Sequence, residues 1–282
     1  MGHLRKVGGA LRQTPRWIIL LPALLAGSAL LCHPAAAPTS FKRTTSQWFE
    51  SVEPGGRLLV DNPFGNVYAR FGGYENRIEL LATFQRLDQD LPELVVHRDQ
   101  AAAGLDVRVT GGAGESEAGP GPARRDRVDL VVYVPSGISL QVRTVKGDIE
   151  AKGLEGAFKA VSVAGNVTVR KIHGPIGIET RRGTITATLL TGATADPQVL
   201  ETETGEIQVH VWEDADLKVD IATSGEISTD FSLEIEHLRF QEPGKRALAI
   251  IGAGAAELRL ASKQGPIRLF RLQKDFYPDE GS

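Results

Sequence analysis

One cysteine, one methionine and three tryptophans are all that 282 residues hold of those types, and aromatics make up only 6%. The lone Cys32 excludes an intramolecular disulfide. Only four histidines, His97, His173, His210 and His237, lie beyond the first forty residues. None stands at metal-ligand spacing from another His or from Cys, which argues against zinc. Excess charge is also missing: the net value is −3, too close to neutral for a basic nucleic-acid surface. Ala/Leu/Glu/Lys-rich helical runs are absent beyond residue 40, whereas glycine (31 residues) and β-branched residues are plentiful. That composition predicts an all-β protein.

A long apolar run occurs once, in "WIILLPALLAGSALLC" from Trp17 to Cys32, after Arg5, Lys6, Arg12 and Arg16 and before "HPAAAP". A basic start, an apolar segment and small residues describe a secretory signal over residues 1–37. The run is 16 residues, short of the roughly 20 that a spanning helix needs. Cleavage near Ala29 or Ala35–Ala37 is expected, and an uncleaved N-terminal anchor is the alternative. Leu31 is too bulky for the small residue that precedes a lipidated cysteine, so Cys32 reads as part of a discarded signal.

Seven segments align on a glycine: "VDNPFGNVYA" (Gly65), "VRTVKGDIEA" (Gly147), "AVSVAGNVTV" (Gly165), "IETRRGTITA" (Gly183), "LETETGEIQV" (Gly205), "DIATSGEIST" (Gly225) and "LASKQGPIRL" (Gly265). In each, the second residue after the glycine is Val or Ile: Val67, Ile149, Val167, Ile185, Ile207, Ile227 and Ile267. In six, the third residue before it is Asn62, Thr144, Ser162, Thr180, Thr202 or Ser262, and in the Gly225 unit Thr223 stands one residue nearer. This pattern predicts a strand, a turn bonded by the Thr, Ser or Asn side chain, and a second strand. The glycine is read as the turn residue that adopts a backbone conformation others resist. Alternation on both sides faces Val and Ile inward.

The glycines from 147 to 225 are spaced 18, 18, 22 and 20 residues apart. The last gap, 40 residues to Gly265, leaves room for a degenerate turn around "RALAIIGAGAAELRL". A fixed period near 20 marks stacked coils, since one unit cannot bury its apolar face alone. An antiparallel meander or sandwich is the alternative, but "KGLEG", "KIHGP", "LLTGA" and "WEDAD" add a second corner between units. The expected architecture is a β-solenoid or β-roll over residues 136–272, capped by a β region over 57–135. Residues 38–56 read as a linker and 273–282 as a tail, and "GGAGESEAGPGPARRD" (Gly111 to Asp126) reads as a surface loop.

The elements "GNVYA", "VDLVVYVPSG", "VRTVKGDIEA…VSVAGNV" and "GAGAAELRLASKQGPIRL", in that order over about residues 55–270, resemble the DUF4097 family of adhesin-like proteins. The resemblance implies a β-strand repeat protein of the bacterial envelope and attaches no catalytic residue to it.

Chemistry is sparse. Twelve acids lie between Asp196 and Glu236, with Lys218 the one fixed-charge base among them. They read as a solvated acidic face, with calcium as the alternative because hard oxygen ligands suit that ion. Arg170, Lys171, Arg181 and Arg182 lie in the preceding coils and are a candidate binding surface for a glycan or an envelope protein. "GESEA" (Gly114 to Ala118) lacks a nucleophile elbow, and "GAGAAE" (Gly252 to Glu257) runs into "LRLAS" where a dinucleotide fold needs a helix. The sequence therefore predicts an exported, non-catalytic envelope protein without a cofactor, meeting membrane only through an uncleaved N-terminus. A polysaccharide lyase or hydrolase on the same coils is the alternative, although Trp212 is the one aromatic among the acids before Phe231.

Overall fold

The computed structural model describes residues 42–73, 76–87, 91–101, 104–111, 125–189, 196–212 and 214–272. These residues form two large mixed sheets, with no helix and no closed barrel among them. In spatial order the ten-stranded sheet contains β1 (Lys42–Ser51), β4 (Arg77–Arg86), β7 (Arg127–Val134), β3 (Val67–Phe71), β9 (Ile149–Lys152), β11 (Val167–Arg170), β13 (Ile185–Leu189), β15 (Ile207–Trp212), β21 (Ile267–Leu272) and β17 (Ile227–Thr229). The eleven-stranded sheet contains β18 (Glu234–His237), β19 (Lys245–Ile251), β16 (Leu217–Thr223), β20 (Ala256–Ser262), β14 (Gln198–Thr202), β12 (Ile176–Arg182), β10 (Phe158–Ala164), β8 (Ser139–Lys146), β2 (Arg57–Asn62), β6 (Gly104–Thr110) and β5 (Val95–Ala101).

The chain crosses between the sheets at each repeat glycine. One strand in each sheet makes a rung, and successive rungs pair in parallel. The register follows the sequence alignment: Val67 pairs with Ile149, Ile149 with Val167, Val167 with Ile185, Ile185 with Ile207, and Ile207 with Ile267. All of these are buried. Alternation produces this face directly, as in β7, where every second residue is buried. Leu154, Ile172 and Ala215 close the interior at the other corner. Val, Ile, Leu and Ala from both sheets interdigitate as one continuous core.

Spatial order departs from chain order at both ends. Rungs run β6/β7, β2/β3, β8/β9, β10/β11, β12/β13, β14/β15, β20/β21 and finally β16/β17. The Gly265 unit is therefore inserted between the Gly205 and Gly225 units, where the sequence placed it beyond Gly225 after a degenerate coil. "RALAII" forms β19, which turns back antiparallel on β16 and lets β20 reach the vacant side of the same strand. The 57–135 region is likewise not purely a cap. Strands β2 and β3 are parallel rungs, and within that region only β4 and β5 pair antiparallel throughout. Residues 42–51 are not a linker, since all ten pair with β4. "GESEA", most of its loop, residues 1–41 and the 273–282 tail lie outside the described residues.

Candidate binding surface

At the repeat corner the seven glycines stack in the order Gly65, Gly147, Gly165, Gly183, Gly205, Gly265, Gly225. A Cβ on Gly147 would lie 2.6 Å from the Gly65 carbonyl carbon, and one on Gly165 would lie 2.7 Å from that of Gly147. A Cβ on Gly225 would meet the Gly265 carbonyl carbon at 2.6 Å. Close approach of one backbone to the next therefore excludes a side chain here, and a special turn conformation is not the common cause. Gly65, Gly147, Gly165, Gly205, Gly225 and Gly265 all lack positive φ.

Beside the glycines runs a column of buried polar residues: Asn62, Thr144, Ser162, Thr180, Thr202, Ser262 and Thr223. Several of their side chains reach the glycine carbonyl of a neighbouring rung. Ser262 Oγ donates to Gly205 O at 2.9 Å and Thr223 Oγ1 to Gly265 O at 2.7 Å. Thr144 Oγ1 contacts its own Gly147 O at 3.2 Å and Ser162 Oγ at 3.1 Å. These hydroxyls satisfy carbonyls that the sharp corner removes from the sheet ladder.

A second ladder lies one residue beyond the glycines. Asp129 Oδ1 accepts from Asn66 N at 3.0 Å, and Asn66 Oδ1 from Asp148 N at 2.9 Å. Asp148 Oδ1 accepts from Asn166 N at 2.7 Å, and Asn166 Oδ1 from Thr184 N at 2.9 Å. The sequence alignment missed this role, although "GNV", "GDI" and "GNV" spell it out. It stops at Thr184.

The four candidate cations do not form one patch. Arg170 ends β11 in the ten-stranded sheet, next to Lys152 and Thr188, and Lys171 makes the following turn at φ 54°. Arg181 and Arg182 end β12 in the other sheet, at the glycine corner, where Arg182 pairs with Ala164. The expected acidic face is also broken up. Because β20/β21 is inserted, Arg259, Lys263 and Arg268 reach Glu201 (3.4 Å), Glu203 (3.0 Å) and Glu206 (3.0 Å). Lys218 approaches Asp220 at 3.9 Å, Asp216 Oδ1 accepts from Ala255 N, and Asp230 Oδ2 accepts from Arg271 N. Among the described residues no group of three or more His, Cys, Asp or Glu is arranged to hold a metal ion.

An open groove of about 810 Å³ lies on the outer face of the eleven-stranded sheet. Val161, Val163, Ala222 and Ala261 contribute apolar surface to it, and Pro243 and Arg246 belong to the chain folded back beside β16. Charged rows cross it in pairs: Glu179 with Lys159 just beyond the rim at 3.4 Å, then Arg259–Glu201, and Arg181 and Lys263 on Glu203 at 3.7 and 3.0 Å. The hydrogen bond from Lys263, then its charge and that of Arg181, hold the Glu203 carboxyl below its ordinary 4.5. On the other sheet, burial lowers half-buried His210, which lies 6.0 Å from the Phe270 ring, and Asp230 opposes that shift.

Solved structures similar to the chain include the following two. One, "a putative cell adhesion protein" from Clostridium sporogenes, is 11% identical, covers 81% of this chain and 100% of its own, and has a TM-score of 0.48. The other, "a putative adhesin" from Bacteroides fragilis, is 12% identical, covers 83% and 99%, and has a TM-score of 0.31. Both scores fall below 0.5, where a likeness carries no argument about role. No family model matches the chain, so the resemblance to DUF4097 rests on the quoted motifs alone. No curated protein matches either.

Proposed function

We propose that the chain is an exported, non-catalytic β-solenoid of the bacterial envelope that works as a binding surface or scaffold. The observation that carries this reading is the use made of its polar groups. The Thr/Ser/Asn column and the Asx ladder serve the corners, and Glu179, Glu201 and Glu203 of the groove are tied to bases on adjacent rungs. A general acid needs a carboxyl whose pKa is raised toward neutrality. Glu203 is displaced in the opposite direction, by Lys263. A groove with apolar patches and fixed, paired charges suits an extended polar polymer lying across the rungs, and an envelope glycan is the ligand class that fits an exported address.

The test is a panel of envelope polysaccharides, with binding measured by calorimetry and new reducing ends measured on the same samples. Saturable binding without chain cleavage is expected, weakened by Lys263→Glu. Release of reducing ends that is abolished by Glu201→Gln would establish the polysaccharide-active alternative instead.

A further inference from the structure

Strand β1 is an edge that nothing described covers. It pairs with β4 along all ten residues, and it ends the ten-stranded sheet. Its other side has no strand partner among the described residues and carries no proline, and of its backbone groups Ser51 O accepts from Gln100 Nε2 of β5 at 3.2 Å. Long edges of that kind are templates for another strand. Phe49, on its outer face, is 54% exposed under the Arg77 guanidinium, 5.4 Å from the ring centre.

We infer that β1 is a dimer edge that pairs antiparallel with β1 of a second copy of this chain. A two-fold axis requires one residue to face itself, and that restricts the registers. Centred on Ser46, the pairing sets Lys42 opposite Glu50 of the second copy, Arg43 opposite Phe49, Thr44 opposite Trp48 and Thr45 opposite Gln47. Each of these four contacts occurs twice. The outer face then gains two cation–π contacts that cover both Phe49 rings, and the half-buried face gains two Lys–Glu pairs. Glu50 already accepts from Arg98 of β5 at 2.6 Å, which fixes its carboxylate on this edge. Centring on Gln47 instead sets Arg43 opposite Ser51 and Thr45 opposite Phe49, with no ion pair at all. Charge complementarity therefore selects both the occupant and the register.

The full chain is examined by sedimentation equilibrium, in non-ionic detergent where the Trp17–Cys32 run is retained. A dimer is expected. Lys42→Glu sets two Glu–Glu pairs on the edge and weakens association about tenfold or more. Lys146→Glu, an exposed change at the repeat corner, leaves it unaltered. In a Cys32→Ser background, Ser46→Cys cross-links two copies under mild oxidation and Gln47→Cys does not, because only residue 46 faces itself within disulfide reach. A monomer at every concentration, association indifferent to Lys42→Glu, or cross-linking at 47 in place of 46 overturns the inference.

Discussion

Replacing Gly165 by alanine adds a single carbon at the corner of a central rung. The new Cβ would lie 2.7 Å from the carbonyl carbon of Gly147 and nearer still to its oxygen, with Ser162 Oγ at 3.2 Å. Ordinary contact between such atoms needs about 3.5 Å. The neighbour is backbone and cannot swing aside, so two rungs about 4.8 Å apart must separate locally by nearly 1 Å. Doing so stretches the bond from Asn166 N to Asp148 Oδ1 and loosens Val167 between Ile149 and Ile185. Overpacking against side chains costs about 1–3 kcal/mol, so against a fixed carbonyl we expect about 3 kcal/mol or more. Gly137→Ala is the contrasting variant. Gly137 has φ 76° and nothing within 4 Å of an added Cβ, so only the backbone preference of about 1 kcal/mol is lost. Urea unfolding followed by circular dichroism compares the two. A loss at Gly165 no larger than at Gly137 would show that the corner glycines serve turn conformation, and the close-approach explanation would be wrong.

Ile185→Asp should cost several kcal/mol, because Ile185 is fully buried between Val167 and Ile207, while Thr184→Asp should cost under about 1 kcal/mol in the same urea assay. Asn166→Ala removes the acceptor for Thr184 N and should cost about 1 kcal/mol, whereas Asn166→Asp keeps that acceptor and should be nearly neutral. His210 has a folded pKa below the unfolded 6.5, so its neutral form is fully stabilising above 6.5 and the melting temperature should fall as pH drops through that value. His210→Gln should remove that part of the decline. Millimolar calcium should leave the melting temperature unchanged, and a saturable rise would reveal a site among the acids between 196 and 236. Intact-mass measurement on exported protein should place the mature N-terminus between Leu30 and Phe41, and retention of Met1–Trp17 would mean an anchor.

The inward set was legible because burial imposes a period of two and the glycine fixed its phase. Every aligned Val or Ile from Val67 to Ile267 stands in one row for that reason. The reason for each glycine was less visible, since a turn requirement and a close approach select the same residue. The fate of the acids was not legible at all. Glu201, Glu203 and Glu206 have no basic neighbour in sequence; each meets a base about sixty residues further along the chain, and Glu203 also meets Arg181 of the preceding rung. Stacking the coils in chain order would set Glu206 against Glu226 and leave Glu201 without a facing base, which like-charge repulsion disfavours. The order that the structure adopts brings Arg259, Lys263 and Arg268 beside these three acids, although Glu179 still faces Glu201.

That interleaving has a mechanical consequence. In a serial stack the last rung touches only its predecessor and can peel away alone, as nearest-neighbour models of repeat proteins describe. Here the C-terminal rung, β20/β21, is held on both sides, by β14/β15 and by β16/β17. The first rung in the chain, β2/β3, is held between β6/β7 and β8/β9 in the same way. The first and last rungs of the chain are released only by breaking ladders to segments far apart in sequence, whereas the outer strands β5 and β18 pair only with their sequence neighbours β6 and β19. Closing those ladders costs loop entropy and slows folding, since β2 must wait for β8, 82 residues on by register from Asn62 to Thr144. The same separation ties the ends to the middle, so the stack should unfold more nearly as one unit than a serial array of equal length. That exchange of folding speed for resistance to peeling favours persistence of the folded stack.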